Sequence, residues 1–144
     1  MGLGAVLVCD GAPVACFSDL IHDRGLEFFG AQRGVSKFNT LWEALAILAA
    51  ILAWSLQGHA IVEVRSGSLA ALGSMAKLSS SSPALSRVAA EFALDRALLA
   101  LRVDIAVHIP GVANNLADAL SRLSAPEPKS SRKPSQARRE HWPR

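Results

Sequence analysis

The sequence predicts a mixed α/β domain, with five strands in one mixed sheet and helices on both faces, in the order β-β-β-α-β-α-α-β-α. Three observations predict it. A run rich in Val and Leu, residues 2–9, and a returning run, residues 13–21, flank Asp10-Gly11, a strong hairpin turn signal. A long apolar segment, Leu41 to Leu56, has the periodicity of a helix buried on most of its surface. After it, short β-branched runs alternate with helical segments, the pattern of a sheet crossed by helices.

The elements follow in order. Residues 2–9, GLGAVLVC, read as a strand and residues 13–21, PVACFSDLI, as its return. A third strand is expected around Leu26 to Phe29, before Gly30 and Gly34, completing an antiparallel meander. Asn39 or Thr40 is placed to cap the next helix, with Glu43 near its third position, where a carboxylate favours the helix dipole. That helix is expected to run to about Gln57 and to stop at Gly58. Residues 60–65, AIVEVR, form a short strand. Ser66 to Leu78 is a small-residue helix capped by Ser66 or Ser68. Ser82-Pro83 opens the next helix with Ser at the cap and Pro at the first helical position. From there to about Leu101, Leu85, Val88, Ala89 and Phe92 recur at core spacing. Residues 103–109, VDIAVHI, make the last strand. A Pro110-Gly111 turn ends it, and Asn114 caps a short final helix carrying Asp118 on its second turn.

Composition narrows the function classes. The chain has 144 residues, 51% of them hydrophobic, which suits one domain with a real core. The net charge of +3 is unevenly spread: residues 1–123 hold nine Lys and Arg against ten Asp and Glu, and residues 124–144 hold six against two. The basic, Ser- and Pro-rich end reads as a disordered tail. Its Lys129, Arg132, Lys133, Arg138 and Arg139 are candidates for phosphate contacts, or serve only as a solvated linker. Cys9 and Cys16 are too few for a disulfide framework or a zinc site. With no positive n-region before the first apolar run, no secretory signal is expected, and the location is read as intracellular, cytoplasmic or nuclear. The uncharged stretch Ala44–Leu56 is shorter than the roughly 20 residues a bilayer span needs, so a buried central helix is preferred to a membrane span.

Two acids stand out. Glu43 lies in an otherwise apolar helix: it serves the helix N-terminus from a solvated edge, or it points into a site with other carboxylates and a cation. Asp118 either pairs with Arg122 four residues on, along an exposed helix face, or belongs to the same site. The end of the folded part adds a pattern: His108-Ile109-Pro110-Gly111, then Asn114, then Ala117-Asp118-Ala119-Leu120-Ser121-Arg122. It resembles the C-terminal signature of the ribonuclease H domain in reverse transcriptases of retrotransposons. The similarity covers nearly all of residues 2–123, and the expected element order matches that fold.

The resemblance implies a ribonuclease H-like domain over residues 1–123, lacking the start of its first strand. It implies hydrolysis of the RNA strand of an RNA·DNA hybrid by two divalent ions, Mg²⁺ or Mn²⁺, held by four carboxylates. Glu43, in Leu41-Trp42-Glu43-Ala44-Leu45-Ala46-Ile47, matches the acid of the first helix, and Asp118 matches the last acid. His108 stands where the family often has a histidine near the catalytic loop, or is simply a strand-end residue. Two departures oppose catalysis. No acid precedes the Gly2-Leu3-Gly4-Ala5-Val6-Leu7 run, and Asp10 lies at the far end of that strand. The third acid would fall at Gly67, and Glu63, four residues earlier, is roughly 13 Å away along an extended chain. With two of four acids missing, metal binding is expected to be weak and the enzyme impaired. The expected site is Glu43 and Asp118 facing each other with Gly67 as the vacant corner. The alternatives are a non-catalytic nucleic-acid-binding relic of the same fold and, behind it, a small membrane protein.

Overall fold

The computed structural model describes residues 2–54, 61–98, 102–110 and 114–123. Four expectations lie wholly or partly outside them: the basic tail of residues 124–144, the end of the long helix at Gln57 and Gly58, the end of the later helix at about Leu101, and the Pro110-Gly111 turn at Gly111.

The fold is mixed α/β. Strands β1 (Gly2–Cys9) and β2 (Ala12–Leu20) form an antiparallel hairpin. The turn is made at Asp10 and Gly11, both with positive φ, 50° and 78°. This is the conformation for which Asp-Gly is suited. Helix α1 (Asp23–Phe29) follows, where a third strand was expected. The run is short, and a short apolar run does not by itself distinguish strand from helix. The flanks decide it: Asp23 occupies the first turn, and Gly30 closes the last in the left-handed region at φ 59°. Arg87, 59 positions on, ties α1 down by donating to the Phe28 carbonyl at 3.0 Å with its guanidinium over the Phe28 ring.

A single 3₁₀ turn, Ser36–Phe38, leads directly into α2 (Asn39–Ala53). Neither Asn39 nor Thr40 caps this helix, because the turn already supplies its entry; Phe38 takes the cap position and makes no side-chain cap bond. Glu43 consequently sits in the second turn rather than near the third position. Beyond α2 come β3 (Ile61–Ser66), α3 (Leu69–Lys77), α4 (Pro83–Leu98), β4 (Arg102–His108) and α5 (Asn115–Leu123). Ser68 caps α3 by accepting the Ala71 amide at 3.1 Å, and Pro83 opens α4 as expected. Asp118 falls in the first turn of α5, not the second.

The described strands make two sheets of two strands each, not one sheet of five: β1 with β2, and β3 with β4 in parallel. Both sheets lean on one core. Phe92 and Val88 of α4 lie at its centre, 2% and 1% exposed, with Leu41, Ile47 and Ile51 of α2 and Leu72 and Met75 of α3 around them. Leu3 of β1 and Val62, Val64 and Val103 of the second sheet pack against this cluster.

Alternation along β1 gives the hairpin two covered faces. Leu3 faces the core, while Gly2 and Gly4 on the opposite face meet the backbone of α5. A β-carbon on Gly4 would fall 2.5 Å from the Ser121 amide nitrogen and 2.6 Å from the Ala117 carbonyl oxygen. Glycine is therefore what lets α5 lie directly on the strand. Ser18, paired across from Gly4, donates to the Leu120 carbonyl and ties the helix down. The second sheet differs. Val62 and Val64 point inward, whereas Ile61, Glu63 and Arg65 are exposed, with Ile61 at 66%.

Helix α2, with the turn before it, is long and apolar enough to cross a membrane by length and hydropathy alone, over Ser36–Ala53. Here it packs against β1, α3 and α4, and seven of its residues are buried.

Candidate functional site

Helices α2, α3 and α5 begin around one open cleft of about 490 Å³. Asn39, Thr40 and Glu43 of α2 form one side; Gly67 and Ser68, between β3 and α3, form the second; Asn114, Asp118 and Arg122 of the last segment form the third. Glu43, Gly67 and Asp118 are thus brought together from three separate stretches of chain. Asn39 and Thr40, considered in the sequence only as caps, are cleft residues because the 3₁₀ turn frees their side chains from capping. Asn114 precedes α5 and its carbonyl accepts the Asp118 amide at 3.0 Å.

Each acid already has a protein partner. Ser66, the buried polar residue at the end of β3 (3% exposed), donates its hydroxyl to Glu43 Oε2 at 2.9 Å. Asp118 Oδ2 pairs with Arg122 at 2.8 Å in an i,i+4 arrangement on an exposed helix face. Such a pair is worth a few tenths of a kcal/mol, about 0.3–0.5, and is screened by salt. His108 ends β4 opposite Ser66 in the register, and its Nε2 lies 3.2 Å from the Gly67 carbonyl oxygen. The ring is exposed and stands behind Gly67, outside the cleft lining. Glu63 is directed elsewhere: it pairs with Arg65 two residues on, on the open face of the sheet. Asp10 sits in the hairpin turn, away from the cleft.

The cleft's charge and donor set can be read directly. Two carboxylates and one guanidinium face a concavity otherwise lined by amide and hydroxyl side chains. A Mg²⁺ or Mn²⁺ pair needs a denser oxygen set than this, since each ion takes about six oxygens in near-octahedral geometry. Among the described residues no three His, Cys, Asp or Glu side chains are grouped to share an ion. Gly67 contributes only backbone where a third carboxylate would be required. The residues present do not fit a two-metal centre. Space is not the obstacle: a β-carbon at Gly67 would lie 3.9 Å from both Asn114 Nδ2 and the Ile109 carbonyl oxygen, an ordinary contact.

No family model matches the sequence, and no curated protein and no solved structure matches it at a significant level.

Proposed function

We propose that the chain is a ribonuclease H-like body derived from a retroelement reverse transcriptase, with an incomplete hydrolytic centre, so that it holds nucleic acid without cutting it. One observation carries this reading. The positions matched to the family's first-helix acid, third acid and last acid, Glu43, Gly67 and Asp118, are far apart in sequence and line one cleft. A chance likeness confined to the Ala117–Arg122 motif would not require Glu43 and Gly67 to meet it.

In the same reading the partner is an RNA·DNA hybrid or another nucleic acid. Side-chain donors of Asn39, Thr40, Ser68 and Asn114, with Arg122, suit phosphate and sugar oxygens, which receive most hydrogen bonds in such complexes. The basic residues Lys129, Arg132, Lys133, Arg138 and Arg139 add a sequence-independent electrostatic contribution. The proposed setting is intracellular, with no membrane contact.

In the family, divalent ions activate water and stabilise the leaving oxygen. With two carboxylates, both engaged, the chain's own residues orient a phosphodiester backbone but supply no activated nucleophile. The test is a labelled RNA·DNA hybrid incubated with the purified chain, Mg²⁺ or Mn²⁺, and a Glu43→Gln control. Binding that weakens steeply as salt rises, with no cutting, is expected. Metal-dependent cutting that disappears in the control would show that two acids suffice and that the centre is complete. Absence of binding even at low salt would remove the nucleic-acid partner from the reading.

A further inference from the structure

We infer that Glu43 is a structural tie in this chain, the terminal acceptor of a hydrogen-bonded series that fixes the start of α3 to α2. The series has three links. Ser66 Oγ donates to Glu43 Oε2 at 2.9 Å; the Ser68 amide donates to Ser66 Oγ at 3.1 Å; the Ala71 amide donates to Ser68 Oγ at 3.1 Å. A hydroxyl both gives and accepts, so Ser66 passes the series on, and each donor in it has its acceptor. Ser68 closes it by capping α3, using its backbone carbonyl as well to accept the Leu72 amide at 3.1 Å.

Burial makes Glu43 necessary. Ser66 is 3% exposed, so its hydroxyl proton has little access to water. Leaving a buried donor without an acceptor costs more than the bond itself contributes. Glu43 is half-buried and reaches Ser66 from a helix otherwise packed into the core, so the acid within an apolar helix is explained by a neighbour in the protein. Asp118 likewise pairs with Arg122, an exposed cation of the chain's own at the cleft. Gly67, between Ser66 and Ser68, turns the chain so that both serines enter the series; this needs no side chain at position 67.

This inference stands apart from the nucleic-acid reading, because it concerns only what Glu43 does in the free chain. The test uses the full chain. Unfolding equilibria are measured for the parent, Glu43→Gln, Glu43→Ala, Ser66→Ala and Glu43→Ala with Ser66→Ala, each with and without Mn²⁺. Glu43→Gln keeps an amide oxygen for Ser66, so it folds and stays near the parent. Glu43→Ala lowers the folding equilibrium constant roughly ten- to a hundredfold. The double variant is clearly less impaired than the product of the two single losses. Amide exchange at Ser68 and Ala71 accelerates in Glu43→Ala and not in Glu43→Gln. Mn²⁺ leaves the parent's stability unchanged. Additive losses, or unaltered exchange at Ser68 and Ala71, would overturn the inference. So would a Mn²⁺-dependent stabilisation of the parent that Glu43→Gln abolishes, since that would make Glu43 a metal ligand. Failure to bind a hybrid would leave these outcomes untouched.

Discussion

At the scale of single residues, the cleft is defined as much by Gly67 as by its acids. The backbone there accepts a side chain without collision, so Gly67→Asp is expected to change stability by no more than about 0.5 kcal/mol, the usual range for surface positions. It would set a third carboxylate beside Glu43 and Asp118. Mutual repulsion between three acids is relieved by a cation, so the variant is expected to gain a Mn²⁺-dependent rise in melting temperature that the parent lacks. Differential scanning fluorimetry with and without Mn²⁺ reads this, and an unchanged variant would show that the three positions do not converge closely enough. Glu43, Gly67 and Asp118 were expected to lie together from the family-like pattern, and all three line the cleft. The partners Ser66 and Arg122 divide differently. The Asp118–Arg122 pair follows from helical spacing alone, whereas the Ser66–Glu43 bond joins two segments 23 positions apart and has no local signature. His108 was placed by its strand, and its Nε2 lies 3.2 Å from the carbonyl oxygen of Gly67, outside the cleft lining.

At the scale of elements, α5 on β1 is the contact that brings Asp118 to the cleft. It depends on a β-strand with no β-carbons at Gly2 and Gly4. Gly4→Ala is expected to destabilise by about 1–3 kcal/mol, because the obstructing atoms belong to the helix backbone and cannot rotate away. Gly73 offers the opposite case. It lies within α3 with nothing near its missing β-carbon, so Gly73→Ala is expected to stabilise by about 1 kcal/mol. Urea denaturation of both variants checks the pair of signs. The elements best read from sequence were those whose ends carry specific chemistry: the Asp10-Gly11 hairpin, Ser68 at the start of α3 and Pro83 at the start of α4. Leu26–Phe29 was misread because four apolar and acidic residues fit a strand as readily as a helix, and the decisive Gly30 closure depends on backbone conformation. The missed 3₁₀ entry to α2 shifted Glu43 by one or two positions for a similar reason: Ser36-Lys37-Phe38 carries no strong start signal, while Asn39 and Thr40 do.

At the scale of the whole molecule, two small sheets share one core. A single two-stranded hairpin is marginal in water, so neither sheet is expected to persist without the helices between them. Phe92→Ala, at the centre of that core, is expected to cost about 3–5 kcal/mol. It should lower the melting of helical circular dichroism and of tryptophan fluorescence together; separate transitions would mean that the sheets belong to independent units. Sequence patterning gave the mixed α/β class but not the division into two sheets. Period-2 alternation and turn residues specify which segments are strands, whereas which edges pair is decided by contacts between distant segments. The central proposal is that the cleft built from these three segments meets nucleic acid without a metal pair. The most direct measurement is the amide NMR spectrum of the chain titrated with an RNA·DNA hybrid in the absence of divalent ions. The account predicts that the signals of Asn39, Thr40, Gly67, Ser68 and Asn114 move together and saturate with one affinity. Shifts confined to the basic tail, with those five signals unmoved, would contradict it.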